Sequence, residues 1–245
     1  MSKTRQTTKP LHELSRLADI MATLRSPQGC PWDQQQSAES LKPYILEEAY
    51  ELLEAIDSGN HQEICDELGD LLLQVVFLAQ IYSEQERFNL ADVIFAICTK
   101  MIRRHPHVFA DADHEGHSRR WEQIKIRELE EKGTSRRLAD RLPASLPALK
   151  RAQKLLKKTS STQTLDVTTK RLKQGQQRLL EVIDEPGPVT KAAEEALAQQ
   201  LYDMISLAGA LHIDMEDLLR KKTTAKIAEI DGNKDHSTGP DVANS

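Results

Sequence analysis

Basic residues are missing from one long stretch. Between Lys42 and Arg87 there is no Lys or Arg, in a chain that has 33 of them. An exposed helix ordinarily mixes both signs, because Glu–Lys pairs four residues apart help it slightly. A solvated helix laced with ion pairs is therefore excluded there. Cysteine is scarce and odd in number: Cys30, Cys65 and Cys98 form no CxxC pair. That argues against a disulfide framework and fits a reducing cytoplasm. Aromatic residues make up only 4%, strand signals are few, and ten glycines with ten prolines suit a helical protein. No run approaches 18 uncharged apolar residues, which excludes a membrane-spanning helix. The opening MSKTRQTTKP lacks the apolar segment of a secretory signal, so a cytoplasmic location is expected. A formal charge of −5 argues against general binding to a nucleic-acid polymer. What is present is 39% hydrophobic residues in 245, enough for a core and for one or two domains.

Helical periodicity recurs along the chain. Residues 11–25 place Leu14, Leu17, Ala18, Met21 and Leu24 on one side, and Pro27-Gln28-Gly29-Cys30-Pro31 makes a loop. Further helices are expected over about 38–57, with Ser37 or Ser40 as cap, then 61–84, 90–104 and 118–132. Residues 133–150, with Pro143 and Pro147, look like a connector. Beyond them, helices are expected over 148–158, 167–183, 190–212 and 214–230. The stretch DGNKDHSTGPDVANS has almost nothing to bury and is expected to be disordered.

The cation-free stretch contains LEEAYELLEAIDSGNHQEICDELGDLLLQ, residues 46–74, which holds nine carboxylates. It reads as two amphipathic helices turning at Ser58-Gly59-Asn60. Glu51 is eight residues before Gly59 and Glu67 eight after; Glu48 is eleven before and Asp70 eleven after. In an antiparallel pair, positions equidistant from the turn face each other. Glu51 should therefore lie beside Glu67, and Glu48 beside Asp70, roughly 12 Å from the turn. On each helix the two acids are three apart and share a face, which Glu47 borders. Two unit charges 4 Å apart repel by about 4 kcal/mol at an effective dielectric of about 20. Such a group binds protons or metal, unless it is simply a solvated face. Oxygen ligands without Cys or His suit Mg²⁺ or Mn²⁺ rather than zinc, and a sparsely held Mg²⁺ keeps places for water and substrate phosphate. Glu54, Asp57, Glu63 and Asp66, nearer the turn, read as solvated. Gly69 either permits close approach at the site or relieves helix packing.

The spacing Glu47-Glu48-x-x-Glu51, fifteen residues, Glu67-x-x-Asp70 resembles the signature of the MazG nucleoside triphosphate pyrophosphohydrolases. So do Gly29-Cys30-Pro31-Trp32-Asp33, Glu67-Leu68-Gly69-Asp70, RRHPHVFAD at 103–111, Trp121-Glu122-Gln123-Ile124-Lys125 and the connector LPASLPALKRAQK. The likeness is strong over residues 11–158 and weak beyond. It implies an all-α fold of tandem MazG-like helical bundles, a homodimer, and Mg²⁺-dependent cleavage of NTPs or dNTPs between the α and β phosphates. Under the resemblance Glu48, Glu51, Glu67 and Asp70 are metal ligands. Glu47, Glu48 and Glu51 form the catalytic acid group, with water held by Glu47 or the metal as attacking group. Lys100, Arg103 and Arg104 correspond to phosphate-binding residues; read alone, they equally complement the end of a helix. Trp121 either stacks on a base or is buried in a core, and Lys125, four later, reaches a phosphate. His105 and His107 are too few for zinc and read as structural, and Trp32 as a packing anchor for its loop.

The second half departs from the pattern. Aligned on RLKQGQQRLLEVID, Glu47, Glu48 and Glu51 become Gln174, Gly175 and Arg178; Glu67 becomes Gln200, and only Asp203 remains. A lone carboxylate beside an arginine is a poor Mg²⁺ site. The expected organisation is a first domain over 1–135 with an intact acidic site, a linker at 136–150, a degenerate second domain over 151–230 and a tail at 231–245. The alternative to an enzyme is a catalytically weak nucleotide-binding or dimeric interaction protein of the same fold.

Overall fold

The structure is a computed structural model describing residues 8–110, 124, 127–128, 138, 142–159, 164–184 and 191–237. Among these the chain is helical, without strands. It divides into two compact units, Met1–Lys125 and Ile126–Ser245. The division falls at Lys125 rather than at residue 135. Leu142, in the stretch read as a connector, is buried within the second unit. No described helix is long and apolar enough to cross a membrane.

The first unit opens with α1 (Thr8–Arg25). Its apolar stripe delivers Met21 into a core with Leu41, Val76, Phe77 and Ile81, flanked by Leu14, Leu17, Ala18 and Leu24. At its end the Cys30 N–H donates to the Leu24 carbonyl at 2.7 Å. A Cβ on Gly29 would sit 2.1 Å from that same oxygen, so only glycine fits this turn. The short helix α2 (Pro31–Gln35), which periodicity did not reveal, follows with proline in its first turn. Arg25 ties these pieces together. Its guanidinium grips Glu84 through two hydrogen bonds of 2.8 and 2.7 Å, donates to the carbonyls of Asp33 and Gln36, and lies 5.5 Å from the centre of the Phe77 ring.

Helix α3 (Lys42–Ser58) starts later than expected, and neither serine caps it. Instead Ser37 and Ser40 each accept the other's backbone N–H, closing a separate turn, and Pro43 opens the helix. Gly59 ends it at φ +73°, in the left-handed region. Asn60 then caps α4 (His61–Glu84), its side chain accepting from the Gln62 N–H at 3.1 Å. The two helices therefore run antiparallel across a tight turn. A reciprocal capping box between Asn89 and Asp92 starts α5 (Leu90–Arg104), which packs on α4. Pro106–Phe109 forms a single turn, α6. The helix expected over 118–132 lies mostly outside the described residues.

In the second unit α7 (Ala148–Thr159) packs on α9 (Lys191–Ala210) and α10 (Met215–Ser237), and α8 (Leu165–Ile183) pairs with α9. Lys150 pairs with Asp214, and Gln153 donates to the Ile213 carbonyl while accepting from the Met215 N–H, which fixes α7 to the start of α10. Helix α10 runs to Ser237, so the stretch expected to be disordered from residue 231 begins as helix. Residues 227–231 are exposed; the backbone hydrogen bonds of a helix extend it past the point where burial stops.

Candidate active site

The hairpin of α3 and α4 brings the predicted acids together. One carboxylate oxygen from each of Glu48, Glu67 and Asp70 lies within 4.8 Å of the others. Glu48 and Glu67 are half-buried and Asp70 is exposed. Burial pushes the Glu48 carboxyl above the usual carboxylate range, and the charges of Asp70, Glu51, Glu67 and Glu47 push it further, in that order. Burial likewise raises Glu67, followed by the charges of Glu51, Asp70, Asp66 and Glu63. The strongest charge on Glu48 is thus Asp70, and on Glu67 it is Glu51, the two pairings equidistant from Gly59. Glu51 and Glu47 are exposed beside the trio rather than within it.

No ion pair among the described residues neutralises this group. Glu67 Oε2 is buried without any hydrogen-bond partner. A buried carboxylate oxygen facing two other carboxylates needs a proton or a cation. An all-oxygen donor set with one orphaned buried atom fits a hard divalent cation. The acids nearer the turn are satisfied locally. Glu63 accepts from the Asn60 side chain at 2.6 Å, and Asp66 from that of Gln62 at 3.0 Å. Around Gly69 a Cβ would meet nothing within 4 Å, so packing among the described residues does not require glycine there.

Lys100, Arg103 and Arg104 end α5, with Lys100 and Arg104 half-buried and Arg103 exposed. Trp121 and Lys125 lie outside the described residues. His105 Nδ1–H donates to the Met101 carbonyl at 2.7 Å, and its ring lies 5.7 Å from that of His107. Trp32 is an anchor on one edge only. Its ring meets Tyr44 and Phe77 edge-on at 6.0 and 6.4 Å, yet the residue is 50% exposed. Sequence reasoning missed Gln74, which is buried on α4 four residues past Asp70. The available signal was an amide interrupting the apolar stripe between Leu71 and Leu78.

The second unit holds a counterpart with different chemistry. A Cβ on Gly175 of α8 would lie 2.6 Å from Gln200 Oε1 and 3.0 Å from Asp203 Oδ2 of α9. Gly175, Gln200 and Asp203 therefore meet across their hairpin as Glu48, Glu67 and Asp70 do across theirs. Only one is a carboxylate. Asp203 is buried and accepts from the Gln199 amide at 3.1 Å, and Arg178 is exposed.

Comparison with known proteins places these observations in a family. Residues 36–109 match the MazG nucleotide pyrophosphohydrolase domain. The chain is 40% identical over 212 residues to the nucleoside triphosphate pyrophosphohydrolase/pyrophosphatase MazG of Thermotoga maritima, covering 84% of this chain and 80% of that one. It is 41% identical over 222 residues to the nucleoside triphosphate pyrophosphohydrolase of Escherichia coli K12, covering 86% and 83%. A nucleoside triphosphate pyrophosphohydrolase of Mycobacterium tuberculosis is 37% identical over 148 residues, covering 58% of this chain and 44% of that one.

Proposed function

The chain belongs to the MazG family of nucleoside triphosphate pyrophosphohydrolases, and on that premise we propose that its first unit cleaves NTPs and dNTPs between the α and β phosphates, with Mg²⁺, to a nucleoside monophosphate and pyrophosphate. The observation that carries this reading is the orphaned, buried Glu67 Oε2 among the oxygens of Glu48 and Asp70, with no cation among the described residues paired to it. Glu48, Glu67 and Asp70 would hold Mg²⁺ (or Mn²⁺), with Glu51, beside Glu67, as the fourth acid of the set. Bound there, such an ion would offset the charge of the triphosphate and lower the pKa of water. Glu47, exposed next to Glu48, holds and deprotonates the attacking water. Lys100, Arg103 and Arg104 meet the phosphates, and Lys125 and Trp121 serve a phosphate and the base. Nothing covalent is required of the protein, since positioning and charge stabilisation suffice.

The second unit lacks the acids and serves packing. A homodimer is part of the same reading. Helix α5 buries none of its residues within the chain, and Phe95, Ile97 and Ile102 on it are exposed, as are Leu46 and Leu68 of the hairpin. This exposed apolar surface supports an interface with a second copy. A cytoplasmic location, with no membrane or nucleic-acid polymer as partner, completes it.

The test is a pyrophosphate-release assay over the common NTPs and dNTPs, with and without Mg²⁺. Release of pyrophosphate and monophosphate is expected only with the ion, and Glu51→Gln is expected to lower it by at least about a hundredfold. Orthophosphate as product would mean that a different bond is cut, and an undiminished Glu51→Gln variant would move the site elsewhere.

A further inference from the structure

Gln74 is 7% exposed, and its side-chain oxygen Oε1 is buried without a hydrogen-bond partner. A buried carbonyl with no donor costs stability, so such groups are rare and ask for an occupant. Its place along α4 says which. Gln74 follows Asp70 by four residues and precedes Phe77 by three, so the three share one face of the helix. By the rise of a helix, Gln74 lies about 6 Å along the axis from Asp70, and Phe77 about 10 Å from it. Phe77 supports the half-exposed Trp32 edge-on, and Tyr44, which also meets Trp32, is one turn before Glu48 on α3. Along α4 the register thus runs from carboxylates to an unpartnered carbonyl to the buried Phe77, whose ring meets the half-exposed Trp32. A nucleotide laid from the acids outward presents phosphate, sugar and base in the same order.

The same register in the second unit sharpens the point. With Gln200 for Glu67 and Asp203 for Asp70, the position of Gln74 is taken by Leu207 and that of Phe77 by Ala210. The hairpin without the acid trio has an apolar side chain where the other has a buried amide.

We infer that Gln74 is a specificity-determining residue whose Oε1 accepts a hydrogen bond from a sugar hydroxyl of the nucleotide. The inference rests on hydrolysis at the acid trio. An acceptor matches a hydroxyl or an exocyclic amino group. Order along the nucleotide selects the hydroxyl: Gln74 lies about 6 Å along the helix axis from Asp70, and the sugar follows the α-phosphorus directly while the base lies beyond it.

The experiment uses full-length Gln74→Met, an apolar side chain of similar length. Pyrophosphate release with Mg²⁺ is compared for a ribonucleotide and its 2′-deoxy, 3′-deoxy and 2′,3′-dideoxy forms, all with one base. In the wild type, loss of the hydroxyl that Gln74 reads lowers kcat/KM by about ten- to a hundredfold. In Gln74→Met that preference disappears, while the dideoxynucleotide is turned over within about twofold of the wild-type rate. The nucleotide-free variant melts no lower than wild type, since it removes an orphan and breaks no bond. An equal loss on all four substrates overturns the inference, as does a loss that follows the amino group of the base across a second nucleotide series. A clear fall in Tm also overturns it, because Gln74 then has a partner within the fold. Wild-type protein that releases pyrophosphate from none of the four overturns the hydrolytic reading itself; failure of Gln74 alone leaves that hydrolysis standing.

Discussion

The α3–α4 hairpin and the α8–α9 hairpin fill the same crossing in opposite ways. In the first, Glu48, Glu67 and Asp70 crowd three carboxylates together and leave one oxygen buried without a partner, and burial with the neighbouring charges raises the proton affinity of Glu48 and Glu67. In the second, Gly175 removes one side chain, Gln200 replaces a charge by an amide, and Asp203 is buried with an amide donor of its own. Each crossing leaves one side-chain oxygen buried without a partner, Glu67 Oε2 in the first and Gln200 Oε1 in the second, but only the first gathers the carboxylates a cation needs. The contrast shows that antiparallel helix pairing does not by itself require the acids, so their presence in the first unit calls for a chemical reason.

The largest expected effect tests that contrast directly. Glu67→Gln makes the first crossing resemble the second and should cut pyrophosphate release by about a thousandfold or more, whereas Asp203→Asn should leave kcat/KM within about twofold. Stability should move the other way. A carboxyl whose folded pKa is raised disfavours the native state when ionised, so the cost is present above the raised pKa and is relieved as pH falls through it toward 4.5. Without metal at pH 7, Glu67→Gln should therefore melt higher than wild type. Added Mg²⁺ should raise the Tm of wild type at pH 7, less as the pH approaches the raised values, and not that of the variant. Equal loss of activity in both variants would erase the distinction between the two crossings.

A second, smaller difference lies in how each unit is clamped. In the first, the buried Arg25 side chain joins α1, α2 and α4 through Glu84 and two carbonyls. In the second, Lys150 and Asp214 are about 40% exposed, at 42% and 38%. Arg25→Met should cost about 3 kcal/mol in urea unfolding, since it strands Glu84 and two carbonyls. Lys150→Met should cost less than about 1 kcal/mol. Hydrogen bonding to Arg25 lowers the Glu84 pKa. That stability is present above 4.5 and is lost as pH falls through the lowered value, so the acid slope of the first unit should flatten in Arg25→Met. A slope unchanged by the substitution would show that Glu84 is held by something else.

The parts of this arrangement that the sequence disclosed are those set by local periodicity. The spans 61–84 and 90–104 coincide with α4 and α5, because their apolar spacing and the caps at Asn60 and Asn89 agree. The pairing of Glu48 with Asp70 and of Glu51 with Glu67 followed from equal distances to Gly59. Features that depend on what packs from elsewhere stayed hidden. Ser37 and Ser40 look like caps in one dimension but close a turn on each other. The half-exposure of Trp32 depends on the ring edges of Tyr44 and Phe77. The loneliness of Gln74 is a property of its surroundings rather than of its neighbours in the chain.

The two glycines at the crossings give the finest comparison. Alanine in a helix interior is worth about 1 kcal/mol over glycine. Gly69 has open space where its Cβ would go, so Gly69→Ala should deliver most of that gain in denaturant unfolding. At Gly175 the new Cβ would stand 2.6 Å from Gln200 Oε1 and 3.0 Å from Asp203 Oδ2. The end of a glutamine can swing aside, but Asp203 is buried and bonded, so displacement offsets the propensity gain. Gly175→Ala should change stability by no more than about 0.5 kcal/mol. A gain equal to that of Gly69→Ala would mean that Gln200 yields freely and that the second crossing is loosely packed. A loss above about 2 kcal/mol would mean that Asp203 cannot yield, and that the second hairpin depends on the missing side chain as firmly as the first depends on its acids.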